Sequence, residues 1–148
     1  MSEDIDKTKK PVGTREWYDF IGLLADMIPG IHMGGRDATK TLIEMCGIDK
    51  NARVLDVGSG GGYTACLIAS EIGARVVGID ISEVMVSKAR GRADRMGVVD
   101  LVEFRTADAF EIPFDDASFD VVLVESVLVP LPGEKLKALK EMMRVLKP

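Results

Sequence analysis

The residues best suited to chemistry in this sequence are an acid and a run of glycines at the end of a short apolar stretch. Asp56 lies near the end of the stretch 54–57, and Gly58-Ser59-Gly60-Gly61-Gly62 follows directly. Closely spaced glycines let backbone approach a ligand where a Cβ would collide, and they aim free N–H groups above the next helix. A carboxylate at this place repels a pyrophosphate, but it attracts a ligand that carries an ammonium or a sulfonium.

Two further acids stand at the ends of apolar runs. Asp80 follows the run 76–79 and lies 22 residues beyond Gly58, where a carboxylate can accept hydrogen bonds from ribose hydroxyls. Asp108 comes just after the run 101–106. An acid such as Asp80 predicts an adenosine-containing ligand, and it serves NAD and S-adenosylmethionine equally well. The alternative for Asp80, a cap on the next helix, is less favoured because Ser82 is the better capping residue.

The acids can act together only if a sheet brings them to one edge. Apolar runs predict strands near 54–57, 76–80, 102–106 and 120–124, with helical patterns between them. Strands that alternate with helices predict an α/β fold with a parallel sheet. Ligands of such sheets bind at the carboxyl ends of the strands, which is where the three acids fall.

Each helix is predicted to bury one apolar face. Asp37 is expected to cap a helix that runs to about Cys46, and Ser82 one that ends at Met96 before Gly97. The basic residues of the second of these helices, Arg92 among them, are expected to face solvent. The residues predicted to face inward are Ala38, Leu42, Met45 and Cys46 in the first helix, Met85, Ala89, Ala93 and Met96 in the second, and Leu136, Leu139, Met143 and Leu146 in the helix 133–146.

Two segments of the chain resemble a known family. Asp56–Gly62 is similar to the Asp/Glu-x-Gly-x-Gly-x-Gly motif of class I S-adenosylmethionine-dependent methyltransferases, and Ile112–Asp120 is similar to the family segment before the fourth strand. The likeness is to the small-molecule branch of ubiquinone and sterol methyltransferase type, and it spans residues 15–148. It implies a Rossmann-like, doubly wound parallel sheet of strand order 3-2-1-4, and methyl transfer from S-adenosylmethionine to a small-molecule or lipid-like acceptor.

The resemblance also implies roles for single residues. Asp108 is expected to accept a hydrogen bond from the adenine amino group, and the Ala109 N–H to reach a ring nitrogen. Glu125, after the fourth strand, is a weak catalytic candidate that could position a nucleophile or act as a base. It could equally bind the ammonium of the ligand or cap a turn. The predicted cofactor-binding residues are Asp56, Gly58, Ser59, Gly60, Gly62, Asp80, Ile81, Asp108, Ala109 and Glu125.

Length, charge and composition limit the number of domains and the classes of partner. At 148 residues the chain is about one domain, and its net charge of −5 gives no basic field for nucleic acid. No apolar run approaches the length of a membrane span. Cys46 and Cys66 are predicted to be core residues, which fits a reducing cytoplasm. His32 is the only histidine, and no metal site is predicted.

The ends of the chain carry separate expectations. Residues 1–14 are predicted to be a disordered arm, 15–50 an N-terminal helical cap or lid, and 51–148 the S-adenosylmethionine-binding α/β domain. Trp17, Tyr18 and Phe20, in a predicted helix 15–28, would either cover a sheet face or close over the site. In the resembled family, the final segment Arg144–Pro148 precedes a fifth strand. The chain is therefore expected to be truncated, with an exposed fourth-strand edge through which a homodimer could form.

Two rival functions stay open. A dinucleotide-binding loop has the pattern Gly-x-Gly-x-x-Gly, and here Tyr63 stands at the third glycine position while Asp56 is badly placed for a pyrophosphate. An NAD(P)-binding oxidoreductase domain is thus the weaker rival. The other is a non-catalytic module that binds the cofactor without turning it over.

Overall fold

The computed structural model describes Arg15, Asp19 and the ranges 35–128 and 135–148. The predicted arm, most of the helix 15–28 with its aromatic residues, His32 and the segment 129–134 lie outside the described residues. Within the described ranges the helices are α1 (Gly35–Met45), α2 (Tyr63–Ile72), α3 (Glu83–Met96) and α4 (Lys135–Val145), and the strands are β1 (Arg53–Val57), β2 (Arg75–Asp80), β3 (Val102–Thr106) and β4 (Val121–Val124). None of the described helices is long and apolar enough to cross a membrane.

The four strands form one parallel sheet in the order β3-β2-β1-β4. Asp56 lies beside Gly78 of β2 and Leu123 of β4, and Asp80 lies beside Thr106 of β3. The predicted order is confirmed. Because all four strands run the same way, their carboxyl ends meet at one edge, which also collects the acids that follow them.

Apolar side chains cover both faces of the sheet, as expected for a doubly wound fold. Val54 and Val76 belong to the core on the side of α2 and α3. Leu55 and Ile79 belong to the opposite core, which is closed by α4 and by the fully buried ring of Phe119. The central strands are therefore held from both sides, and the edge at which they end is a rigid platform.

The start of α1 differs from the prediction. The helix begins at Gly35, so Asp37 lies inside the first turn instead of capping it, and Met45 is 81% exposed instead of facing inward. The fully buried residues on this helix include Thr39, a polar residue that the apolar pattern passed over. A carboxylate in the first turn still favours the helix through its dipole.

At the end of α3, Met96 is 41% exposed, so its predicted inward position is wrong. Gly97 adopts a left-handed conformation with φ 67°, and the next N–H, that of Val98, bonds to Ala93 O at 3.1 Å. This is the Schellman ending of a helix. It sends Val98 into the core in place of Met96. The predicted cap at the other end is confirmed, because Ser82 Oγ accepts from the Met85 N–H.

The predicted inner face of α4 is wrong. Ala138, Met142 and Val145 are buried against the sheet. The residues expected to be inside are Leu136, Leu139, Met143 and Leu146, and these are 62%, 36%, 73% and 37% exposed. The helix carries two adjacent apolar stripes, and periodicity alone does not say which one meets the sheet.

A pair of charged residues fixes the rotation of α4. Arg144 donates to both carboxylate oxygens of Glu141, at 2.9 and 2.8 Å, and also to the carbonyls of Ile112 and Phe114. Glu141 in turn accepts from the Ile112 N–H at 3.0 Å. The pair thus fastens α4 to the loop that follows β3 and leads to β4.

We expect Glu141→Gln to lower the free energy of unfolding at neutral pH by roughly 1–2 kcal/mol, because it weakens charge-assisted hydrogen bonds. The hydrogen bond from Arg144 lowers the pKa of Glu141 from 4.5 to about 2. Its stabilisation is therefore complete above about pH 4.5 and lost as pH falls toward about 2. Denaturant unfolding of both proteins between about pH 7 and about pH 3 measures the effect.

The matched control is Glu71→Gln, which changes an exposed carboxylate on α2. A difference between wild type and Glu141→Gln that stays constant down to about pH 3 would contradict this role for Glu141.

Candidate binding site at the carboxyl edge of the sheet

The glycine loop between β1 and α2 is shaped by close contacts on two sides. Gly58 has φ 73°, and a Cβ built on it would overlap Val127 Cγ2 in the segment after β4. A Cβ on Gly62 would lie 2.8 Å from Phe104 Cζ. Gly60, also at positive φ, has no atom within 4 Å of its Cβ position among the described residues. The loop is therefore packed at both ends and open in the middle, where a ligand can approach.

Most N–H groups of this loop are bonded within the chain, whereas the sequence analysis expected them to be free. Gly58 and Ser59 both donate to Ile79 O, at 2.8 and 2.9 Å, and Gly60 donates to Asp80 Oδ2 at 2.8 Å. The Gly62 N–H bonds back to Ser59 O. Because these donors are used inside the chain, the loop is poorly equipped to cradle a pyrophosphate.

Asp80 is held in a fixed orientation at the end of β2. Its two carboxylate oxygens accept from the Gly60 N–H and the Ser82 N–H, at 2.8 and 2.9 Å. Burial raises its pKa, and those two backbone hydrogen bonds partly oppose the rise. Each oxygen keeps a second lone pair, so this carboxylate can accept hydrogen bonds from ligand hydroxyls without losing its own partners.

Asp56 is the most deeply buried acid of this edge. Its side chain is 2% exposed, and Oδ2 has no hydrogen-bond partner within the ranges that the structure describes. Burial raises the pKa of Asp56 to about 7, and the carboxylates of Glu125 and Asp80 add to the rise. A buried acid without a donor is costly when ionised, so the site favours a cationic group beside it.

Glu125 stands next to Asp56 and is clamped by two hydroxyls. Thr39 Oγ1 of α1 donates to Oε1 at 2.8 Å, and Thr64 Oγ1 of α2 donates to Oε2 at 2.9 Å. Both threonines are buried. The sequence analysis missed them, because neither belongs to a motif and their contact with Glu125 joins positions far apart in the chain. A carboxylate held at both oxygens is well placed to bind a cation and poorly placed to swing as a base.

The remaining predicted site residues occupy different surroundings. The Ser59 hydroxyl points toward β2, near Gly78, and has no partner in the described part of the chain. Ile81 is half-buried between Asp80 and Ser82. Asp108 is exposed and accepts from the Phe110 N–H at 2.9 Å, and Ala109 is half-buried beside it. The structure thus brings the end of β3 to the same edge, but it points the Ser59 side chain away from the open middle of the loop.

Two arginines at this edge were not predicted to be there. Arg92, expected to face solvent, donates from Nε to Gly61 O at 2.7 Å, and its guanidinium lies 5.7 Å from the centre of the Tyr63 ring. Arg36 donates from Nε to the Tyr63 hydroxyl at 2.8 Å. The helical pattern places Arg92 on the polar face of α3 but does not show that this face borders the glycine loop.

A family profile described as a methyltransferase domain matches residues 54–148. The chain is 33% identical, over 150 residues, to the ubiquinone/menaquinone biosynthesis C-methyltransferase UbiE of Ectopseudomonas mendocina. The alignment covers 99% of this chain and 58% of that relative. The chain belongs to the S-adenosylmethionine-dependent methyltransferase family. It spans about half the length of the curated relatives it matches.

Solved structures agree with this membership. A methyltransferase of the family from Geobacter sulfurreducens, in complex with S-adenosyl-L-homocysteine, is similar with a TM-score of 0.73 and 26% identity, covering 86% of this chain and 51% of that one. The (4+2)-cyclase SpnF is similar with a TM-score of 0.83 and 29% identity, covering 90% and 55%. The Rossmann-like methyltransferase fold is thus confirmed, whereas the roles of single residues stay predictions.

The N-terminal region of this methyltransferase-family chain reaches the same edge at one described point. The Ser82 hydroxyl donates a short hydrogen bond to Asp19 Oδ1. Ser82 itself is completely buried. Asp19, which lies in the segment predicted to form a cap or lid, therefore contacts the residue that caps α3.

We expect Asp56→Asn to stabilise the ligand-free protein near pH 8. The pKa of Asp56 is raised from 3.8 to about 7 in the folded state. The protonated carboxyl therefore stabilises the folded protein fully below about pH 3.8, and this stability is lost as the pH rises through about 7. The full shift corresponds to roughly 4 kcal/mol, and a gain of about 1–3 kcal/mol is expected after relaxation. Urea unfolding near pH 8 and near pH 4 measures it.

At the lower pH the two proteins should differ little. Asp100→Asn, which alters an exposed acid after α3, is the control and should show no such pH-dependent gain. A variant less stable than wild type near pH 8 would show that ionised Asp56 stabilises the folded protein through a partner, which contradicts the prediction.

Proposed function

We propose that this chain binds S-adenosylmethionine along the carboxyl edge of the sheet and transfers its methyl group to a small-molecule or lipid-like acceptor. The observation that carries the proposal is the buried Asp56 carboxylate, which lacks a donor at Oδ2 among the described residues and lies beside Glu125. A ligand with an ammonium group supplies both the missing donor and the opposite charge. Family membership supports the same ligand.

The other residues of the edge divide the cofactor between them in this proposal. Asp80 accepts from the ribose hydroxyls, and Asp108 accepts from the adenine amino group while the Ala109 N–H serves a ring nitrogen. The open side of Gly60 admits the ligand close to the backbone. Asp56 and Glu125 receive the ammonium. Support comes from the parallel sheet, which brings these positions to one edge in the order that an extended ligand needs.

The chain contributes binding and orientation more than bond chemistry. When bound, the cofactor supplies a methyl carbon that its sulfonium makes electrophilic. The protein then has to hold an acceptor in line with that carbon and exclude water. Glu125 fits a positioning role better than that of a general base, because Thr39 and Thr64 occupy both of its oxygens.

A relative that acts on small molecules supports the acceptor class. UbiE is named as a C-methyltransferase of ubiquinone/menaquinone biosynthesis. We infer an acceptor of similar kind for this chain, a small or lipid-like molecule.

A second candidate function is a cofactor-binding module without turnover. One observation favours keeping it: a similar solved structure is that of a (4+2)-cyclase. The fold alone does not assign the reaction. Ligand binding in the absence of methyl transfer, with small aromatic and lipid-like acceptors, would select this function.

We expect S-adenosylhomocysteine to bind with a micromolar dissociation constant in calorimetric titration, and NAD to give no heat. Asp80→Asn should weaken the first ligand by about 10-fold or more, because hydrogen bonds between a carboxylate and ribose hydroxyls are charge-assisted. Circular dichroism should show an unchanged fold. Glu103→Gln, an exposed change on β3, is the control.

Heat from NAD and none from S-adenosylhomocysteine would replace the proposal with a dinucleotide-binding function. Equal affinities of Asp80→Asn and wild type for S-adenosylhomocysteine would remove Asp80 from the site.

We also infer that two copies of this chain pair through β4. Among the described strands, β4 has one neighbour, β1. Just before β4 begins, Phe119 forms an isolated bridge with Leu146. Unpaired edge strands recruit other strands. Leu146, which is 37% exposed, lies at this point, because Val145 O accepts from the Phe119 N–H.

Light scattering coupled to size-exclusion chromatography should therefore give a dimer mass at about 100 μM. Val122→Pro, on the edge strand, should shift the protein toward monomer, since proline blocks strand pairing. A monomer at every concentration would refute the pairing.

A further inference from the structure

The cluster of Tyr63 with two arginines stands at the mouth of the site. Arg36 donates from Nε to the Tyr63 hydroxyl at 2.8 Å, and its Cζ lies 5.9 Å from the ring centre. Arg92 lies near the same ring and is committed to Gly61 O. The bond to Tyr63 leaves the two terminal nitrogens of Arg36 without a hydrogen bond to any described residue, and it fixes one edge of the guanidinium.

The position of Arg36 relative to the acids follows from the helices that carry it. Arg36 and Thr39 are three residues apart in α1 and therefore share a helix face. Thr39 bonds to Glu125, and Thr64, the residue after Tyr63, bonds to the other oxygen of Glu125. Arg36 therefore lies about one helical turn, roughly 5 Å along the axis, from the residue that holds Glu125.

Arg36 is a positive charge beside an edge that carries three acids. Asp56, Asp80 and Glu125 are all acids, and they suit an ammonium and hydroxyls. An amino-acid group carries a carboxylate next to its ammonium, and the acids repel that carboxylate. Arg36 and its partner Tyr63 flank the two threonines that hold Glu125, so the guanidinium lies on the side of the acids where the carboxylate of such a group can be received. It also offers paired donors, which suit a carboxylate.

We propose that Arg36 binds the carboxylate of the amino-acid end of the cofactor, with Tyr63 holding the guanidinium in place. This inference rests on the proposed function, and it fixes which end of the ligand points toward α1. Arg36 is then a specificity residue. It distinguishes a cofactor that has an α-carboxylate from the otherwise similar molecule that lacks one.

Titration with S-adenosylmethionine and with its decarboxylated form tests this inference, because the two ligands differ only in the carboxylate. The unchanged chain should prefer the first ligand. Arg36→Met should weaken S-adenosylmethionine by about 10- to 100-fold and leave the decarboxylated ligand equal or tighter, since a nearby positive charge has been removed. Arg36→Lys should restore part of the preference.

Arg75→Met, at the opposite edge of the sheet, is the matched control and should change neither affinity. An equal loss for both ligands in Arg36→Met would assign Arg36 a structural role and overturn the inference, as would no loss for either. If the unchanged chain binds neither ligand, the cofactor assignment itself fails. If it binds both without preference, only the carboxylate contact fails.

Discussion

The burial of one carboxylate, that of Asp56, is the constraint on which the rest of the site depends. β1, one of the two inner strands, carries Asp56 to the glycine loop, where the residue is 2% exposed and its pKa rises to about 7. Two further carboxylates, Asp80 and Glu125, add to this rise. Folding alone does not favour three acids at one edge. Their arrangement is understandable as the negative half of a binding site whose positive half arrives with the ligand.

Among the described residues, neutral hydrogen-bond donors hold two of these carboxylates in place. Backbone N–H groups hold Asp80, and threonine hydroxyls hold Glu125. A lysine or arginine in their place would neutralise the acids and remove their attraction for a cation. The arginines of this edge instead bond to Gly61 O and Tyr63, beside the acids. Neutral donors thus fix the orientation of Asp80 and Glu125.

The sequence predicted the parts of the fold that rest on local signals. The β1–glycine loop–α2 unit, the strand order and the Ser82 cap are confirmed, because apolar runs, glycines and capping residues act over a few positions. The predicted buried face of α4 was wrong because the helix has two apolar stripes. Which stripe meets the sheet depends on the hydrogen bonds from Arg144 to a loop that is distant in sequence. Thr39 and Arg92 were missed or misplaced for the same reason. Their partners, Glu125 and Gly61, are brought near only by the tertiary fold.

The internal hydrogen bonds of the glycine loop have a consequence for the entropy of association. Gly58 and Ser59 are tied to Ile79, and Gly60 is tied to Asp80. A loop that already has its shape loses little conformational freedom when a ligand arrives. The ordering cost that glycines usually carry is met during folding, when β2 forms beside β1. The edge is therefore preorganised, and the free energy of each contact with the ligand goes into affinity instead of into ordering the backbone.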